Sequence, residues 1–390
     1  MVPEGWKKVR FDEVTQIANG QVDPKCEPYS EMAHIGPENV ISHTGQITGC
    51  KTGKELGLIS GKYEFDEYAI VYSKIRPNLN KVCKPGFRGL CSADMYPIWA
   101  KNGLNIDYLY HYMLSPAFYK LAVAMSMRTG MPKINRSDLN AVQIAIPPLP
   151  EQKKIAQILS TWDQAITATE RLLENSQQRK KGLMQQLLTG KKRLPGFEGE
   201  FKAISLSAAA TITMGTSPKS AAYNSIDDGL PLLQGNADIE SRRSKPRVYT
   251  SEITKTCQPS DILLSVRAPV GSVAISNHEA CIGRGICAIK AKNKNNQEFL
   301  YQWMLWYEPR WASLSQGSTF ESVNSSDIKN LQIKLPEPGE QKAISSVLFV
   351  ADRESELLGS RLNRLKQEKK ALMQQLLTGK RRVNVDMEAA

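Results

Sequence analysis

The chain has 390 residues, 41% of them hydrophobic and 23% charged, enough for two domains of ordinary size, each with its own core, plus connecting elements. No window approaches the roughly 18 apolar residues of a membrane span, and the start, Met1 to Lys8, lacks the apolar stretch of a signal peptide, so a cytoplasmic protein without membrane contact is expected. The formal charge of +12 favours a polyanionic partner, because each phosphate neutralised by Lys or Arg releases condensed counterions.

In chain order, short β-rich runs come first, at Tyr68–Ser73 and Val82-Cys83, followed by a helical segment over Ile106–Ala124. Pro147, Pro148 and Pro150 then clear the way for a helix whose seam steps by four and three through Ile155, Leu159, Trp162, Ile166, Thr169, Leu173, Ser176, Lys180, Leu183 and Leu187. Gly190 stands where a left-handed cap ends such a helix. The pattern then repeats. Strand-like runs at Asp261–Val266, Gly271–Ile275 and Ile282–Lys290 precede a helical segment over Gln297–Ser313. Pro336 and Pro338 open a second long helix, with its seam at Ile344, Leu348, Ala351, Ser355, Leu358, Leu362, Leu365, Lys369, Leu372 and Leu376, and Gly379 closes it.

The repetition is literal in places. Leu183 to Lys191 recurs letter for letter as Leu372 to Lys380, and the same spacing of 189 residues pairs Asp163 with Asp352 and Glu151-Gln152-Lys153 with Glu340-Gln341-Lys342. The starts of the halves correspond more weakly, with Trp6 and Gly20 facing Phe201 and Gly215. Between these flanks, over about 21–127 and 216–316, the halves diverge. The chain is a duplication in which each half is a variable domain followed by a preserved tail. Neither amphipathic tail can bury its stripe alone. The expected fold is therefore α/β: two α/β domains separated by two long antiparallel helices forming a coiled coil, with an internal pseudo-twofold repeat. The boundaries read 1–148, a helical spacer at 149–192, a second domain at 193–336, a second spacer at 337–382 and a tail at 383–390.

Polar and basic residues gather in paired loops of the variable domains: 73–81 with 265–272, 127–133 with 315–320, and 35–39 with 233–238. Arg, Lys, Asn and Gln read base edges, while Ser, Thr and backbone amides grip phosphates. The candidate DNA contacts are Lys74, Arg76, Asn78, Asn80, Lys81, Arg128 and Lys133 in the first domain. In the second they are Gln234, Asn236, Arg267, Ser272, Arg284, Gln316, Ser318 and Thr319.

Catalytic signatures are missing. Asp138 with Glu151-x-Lys153, and Asp327 with Glu340-x-Lys342, imitate a metal-dependent nuclease, but each E-x-K follows prolines at a helix start, where Glu and Gln serve exposed amides. The sequence contains no phosphate-binding loop, no G-x-G-x-x-G and no H-E-x-x-H. Seven cysteines form no C-x-x-C pair, and His34, His43, His111 and His278 lack metal-ligand spacing, so reduced thiols and no metal are expected. A stand-alone nuclease or methyltransferase is the rival reading.

The run Pro147 to Ala156 leading into a long helix, with the Leu183 to Lys191 tail ahead of a second variable half, resembles the specificity subunit of type I restriction-modification enzymes. The second copy departs at several positions but keeps Pro336 and Glu340-Gln341-Lys342. The resemblance implies a non-catalytic subunit whose two target-recognition domains each read half of a bipartite, asymmetric site on double-stranded DNA. It implies that the helices fix the unread spacer and that Glu151, Gln152, Lys153, Glu340, Gln341 and Lys342 lie where partners dock. Those partners would be two copies of a methyltransferase subunit, which hold S-adenosylmethionine, and motor-nuclease subunits. This chain itself would need no cofactor.

Overall fold

The computed structural model describes residues 3–126, 132–292, 294–315 and 322–385. They form two compact units, Met1–Glu170 with Ser360–Ala390, and Arg171–Gly359. Each unit therefore takes one variable domain and half of each long helix.

In the first unit, Lys7–Arg10 pairs antiparallel with Gln143–Ile146, joining the start of the domain to its end. One four-stranded antiparallel sheet runs Thr15–Ile17, Met95–Ala100, Ile70–Ser73, Val82–Cys83. A second runs Lys51–Thr52, Ala33–Ile35, Gly89–Cys91, Tyr63–Phe65, with Ala33–Ile35 parallel to Gly89–Cys91. The single helix expected over 106–124 is two, Ile106–Leu114 and Pro116–Ser126. Ser115, held extended at ψ 153°, separates them, because a residue before proline is pushed out of the helical region.

The second unit repeats the scheme with larger sheets. Lys202–Ser205 pairs with Gln332–Leu335, and sheets of six and five strands follow, antiparallel except where Leu230–Leu233 meets Ala280–Ile282 and Arg243–Ser244 meets Val273–Ile275. Here one helix, Gln297–Ser315, replaces the broken pair.

The long helices span Leu149–Leu187 and Pro338–Leu376, 39 residues each, about 58 Å at about 1.5 Å per residue. Gly190 and Gly379 follow at φ 72° and 68°, the left-handed conformation expected of a closing glycine. Every seam residue anticipated from the heptads is buried or half-buried, whereas Leu172 and Leu357, off the seam, are exposed. The seam ends inside the domain cores. Ile155, Leu159 and Leu376 join the first core around Phe11, Tyr108 and Phe118, and Leu187, Ile344 and Leu348 join the second around Phe299 and Trp311.

Within each unit the helix partners descend along one segment as they ascend along the other. In the first, Asp163 meets Lys369 and Glu170 meets Lys366, the latter at 2.7 Å. In the second, Ser176 meets Ser355 at 3.0 Å and Lys180 meets Asp352. Lys180–Asp352 and Lys369–Asp163 are the same contact in the two repeats.

The first turn of each long helix is a second duplicated contact. Glu151, 1% exposed, accepts Arg382 Nε at 2.7 Å and Nη2 at 2.8 Å, and Trp6 Nε1 at 3.2 Å. Glu340, fully buried, accepts Arg193 Nε at 2.8 Å and Nη2 at 2.5 Å. Beside them Gln152 Oε1 accepts the Asn105 amide at 2.7 Å while its Nε2 donates to the Pro147 carbonyl at 2.9 Å. Gln341 does the same with Asn296 and Pro336, at 2.9 Å each. These Glu and Gln side chains thus bond to remote segments and to the proline carbonyls ahead of each helix, rather than to the exposed amides of their own helix.

One matched position differs. Asn105 and Asn296 each cap a helix by accepting an amide three residues on, and six residues beyond them stand His111 and Gln302. Gln302 Nε2 donates to Asp352 Oδ2 at 2.6 Å. His111 Nε2 lies 3.1 Å from Ser160 Oγ, but Nδ1 is 3.8 Å from Asp163 and has no hydrogen-bond partner among the described residues. Burial, aided by the Lys369 charge, holds the His111 pKa down to about 3.

Two outcomes follow from these contacts. Gln152→Ala leaves the Asn105 amide and the Pro147 carbonyl without their partner, and is expected to cost about 1–3 kcal/mol of local stability, read as lost hydrogen-exchange protection at Asn105. His111 is neutral when folded and takes a proton near pH 6.5 when unfolded. Its contribution to stability is therefore complete above pH 6.5 and lost as pH falls from there toward about 3. His111→Gln, which copies Gln302, is expected to lose less stability than the parent between about pH 7 and about pH 5 in denaturant titrations.

Candidate nucleic-acid interface

Within each domain the loop at 73–81 or 265–272 lies against a second segment, at 132–134 or 322–323. In the first domain Ile75 bridges to Lys133, the Arg76 amide donates to the Pro132 carbonyl at 2.9 Å and Ile134 to Lys74 at 2.8 Å. In the second, Arg267 bridges to Ser322 and the Val323 amide donates to Val266 at 3.0 Å. Buried Ser73 and Ser265 carry the same device, since each Oγ lies 3.0 Å from the carbonyl two residues on, Ile75 or Arg267. The two loops therefore superpose by hydrogen bonding, which aligns Arg267 with Ile75.

A second alignment comes from the strand ends. The Gly283 amide donates to Leu233 at 2.8 Å and the Ile286 amide to Gly283 at 3.0 Å, as the Ser92 amide does to Ile35 and the Met95 amide to Ser92, both at 2.9 Å. Arg284 therefore occupies the place of Ala93. Gly235 and Gly36 open matching turns, each accepting at 3.0 Å the amide three residues on, so Gln234 is one extra residue between strand and turn in the second domain. One backbone frame carries two arginines in the second domain where the first has isoleucine and alanine, and Gln234 is added beside them.

In the second domain these side chains surround a recess of about 510 Å³ with Ser217, Tyr223, Asn236 and Ser265. Buried Asp238 fixes its floor by accepting the Gln234 amide at 2.7 Å and the Gly235 amide at 3.3 Å, and Arg247 Nε bonds to the same carboxylate at 2.8 Å. Gly285 is required there, since a Cβ would lie 2.2 Å from the Gln234 carbonyl oxygen.

In the first domain the basic residues sit elsewhere. Lys74 Nζ and the Arg136 guanidinium lie 5.3 and 5.4 Å from the Tyr96 ring centroid, and Arg136 also donates to the Ile17 and Ala18 carbonyls at 3.0 and 2.6 Å. Arg76, Asn78 and Lys133 are exposed. Two expected contacts turn inward. Asn80 is 2% exposed in a left-handed turn at φ 42°, its amide 3.5 Å from the Leu114 carbonyl, and Lys81 Nζ donates to Pro37 at 2.5 Å. Both serve the loop's own geometry. Ser272 is half-buried, its carbonyl accepting the Ser265 amide at 2.9 Å. Arg128, Gln316, Ser318 and Thr319 lie outside the described residues.

Of the six residues expected at a partner surface, Lys153 and Lys342 are exposed, whereas Glu151, Gln152, Glu340 and Gln341 point into the chain. Their arginine and amide contacts leave them neither free for a partner nor available as nuclease ligands. Among the described residues, no group of three or more His, Cys, Asp or Glu could hold a metal ion, and no helix is long and apolar enough to cross a membrane. The cysteines are free thiols, and burial pushes those of Cys83 and Cys287 up to about 12.

Residues 3–175 and 249–367 match the family model described as the type I restriction modification DNA specificity domain. The chain belongs to this family. It is 31% identical over 364 residues to a putative type I restriction enzyme MjaX specificity subunit of Methanocaldococcus jannaschii, covering 90% of this chain and 78% of that one. It is 37% identical over 202 residues to the EcoDI specificity subunit of Escherichia coli, covering 52% and 44%. Among solved structures, the HsdS subunit from Thermoanaerobacter tengcongensis aligns with a TM-score of 0.51 and 26% identity over 97% of this chain and 98% of that one. The S subunit from M. genitalium, at 14% identity, shares the fold, with a TM-score of 0.65 over 95% and 96%.

Sequence reading missed Arg136, Ser217 and the Asp238–Arg247 brace. Arg136 lies outside the paired loops, and no local pattern ties it to Tyr96. The glycines offer a test of the recess. Gly285→Ala is expected to destabilise the second domain by about 1–3 kcal/mol through the forced clash. Gly235→Ala, where a Cβ meets nothing within 4 Å, is expected to leave the melting temperature nearly unchanged.

Proposed function

We propose that this chain is the non-catalytic DNA-recognition subunit of a type I restriction-modification complex. Each variable domain reads one half of a bipartite, asymmetric target in double-stranded DNA. The two long helices form one antiparallel coiled coil, related by a pseudo-twofold axis, that fixes the unread spacer. The preserved tails receive two copies of a methyltransferase subunit, and motor-nuclease subunits complete the assembly. S-adenosylmethionine is held by the methyltransferase, and this chain supplies sequence choice rather than a reacting group.

One observation carries the reading. Contacts at the helix ends are duplicated residue for residue, from Glu151–Arg382 and Glu340–Arg193 to Lys369–Asp163 and Lys180–Asp352. The loop positions on the matched frame are not, with Arg267 and Arg284 standing where Ile75 and Ala93 stand. Near-identical tails suit two copies of one partner, and unlike readers suit two different half-sites. The net charge of +12 supports a polyanionic target. The family membership and the relatives named as specificity subunits support the same assignment.

Methylome sequencing of cells carrying this subunit with its methyltransferase tests the reading. The expected result is a two-part methylated motif of which one half alone changes when residues 21–127 are exchanged for another domain. Persistence of the original motif in such a chimera contradicts it, as does DNA turnover by the purified chain alone with a metal ion or a methyl donor.

A further inference from the structure

The recess of the second domain has a chemistry more specific than general DNA contact. Arg284 lines it. Its Nε and its own backbone amide both reach Ser217 Oγ, at 3.3 and 3.2 Å, so one edge of the guanidinium is tied down. The two Nη groups form no hydrogen bond or ion pair among the described residues. A fork held at Nε presents two parallel donors, and a held fork loses less freedom on binding than a mobile one.

We infer that Arg284 reads a guanine in the half-site met by the second domain, an assignment that rests on the DNA-recognition reading above. Guanine alone presents two adjacent acceptors, O6 and N7, in the major groove. Adenine shows an acceptor beside a donor, cytosine a donor, and thymine one acceptor beside a methyl. A phosphate also offers paired acceptors, but the rest of the recess does not suit one. Gln234 and Asn236 bring amides that carry an acceptor as well as donors. A phosphate would use only their NH2 donors and leave their oxygens idle, whereas a base edge offers partners of both kinds. The floor favours a base too. Gly235 and Gly285 lower the backbone beside Arg284, and Asp238 holds the Gln234 and Gly235 amides in place. The first domain has Ala93 at this position and lacks the fork, so this contact belongs to the second half-site alone.

The test uses the assembled complex with its methyltransferase. The second half-site is first identified as the half of the methylated motif that changes when residues 216–316 are exchanged. Arg284→Lys keeps the charge and loses the fork, and Arg284→Gln loses both. Because Arg284 is exposed, both variants are expected to melt with the parent. In competition binding, both are expected to lose a preference of roughly ten- to a hundredfold at one G·C pair of the second half-site, leaving the first half-site unchanged. The lysine variant keeps the parent's salt dependence. An unchanged motif overturns the inference, as does a second half-site without a G·C pair. It is also overturned if the glutamine variant weakens all sequences equally, with a salt slope lower by about one, while lysine restores the parent's affinity, since that marks a phosphate contact. A parent complex with no sequence preference overturns the recognition reading as well, whereas a two-part motif indifferent to Arg284 overturns this inference alone.

Discussion

The seam of the two long helices constrains everything else. Each carries an apolar stripe that water disfavours, and each stripe is interrupted by a lysine, Lys180 or Lys369, whose side chain is 17% or 12% exposed. An ammonium group so far from water needs a carboxylate. Asp352 and Asp163 supply it only when the partner segment runs in the opposite direction, so the charge that costs stability also fixes register and polarity. Glu151 and Glu340 extend the same logic to the helix starts, where a buried carboxylate draws Arg382 or Arg193 from beyond the far end of the other helix.

The tails were legible in the sequence because their signals are local and repeated: nine identical residues, heptad steps and closing glycines. The variable domains were legible only in outline. Their strands are mostly two to four residues long, too short for alternation to stand out. A proline at 116 broke a helix that the apolar pattern carried through. The polar residues near loops divided in a way that composition cannot reveal. Asn80 and Lys81 are spent holding a turn, while Arg284 faces open space because Ser217, 67 residues away in sequence, holds its other edge. Likewise Glu-Gln-Lys is eye-catching as a motif, yet its first two residues are internal struts. Their partners lie at Trp6, Asn105 and Arg382, which no local window connects.

Duplication explains how one chain can be both regular and asymmetric. The contacts that position each domain on its helices tolerate little change, since each buried group meets partners of fixed charge and reach. The loop side chains carry no such obligation once the backbone is held by Ser73 and Ser265 and by the matched amides at the strand ends. A frame of this kind lets readers vary while the supports stay constant, which is what a protein must do to choose among DNA sequences without altering the partners it assembles with.

The helix pairing can be measured directly. Ser176 and Ser355 face each other with Oγ atoms 3.0 Å apart, so the double variant Ser176→Cys with Ser355→Cys is expected to form an intramolecular disulfide on mild oxidation, identified by a cross-linked peptide joining the two helices in the monomer. Failure to cross-link, or links only between separate chains, would contradict the paired-helix account.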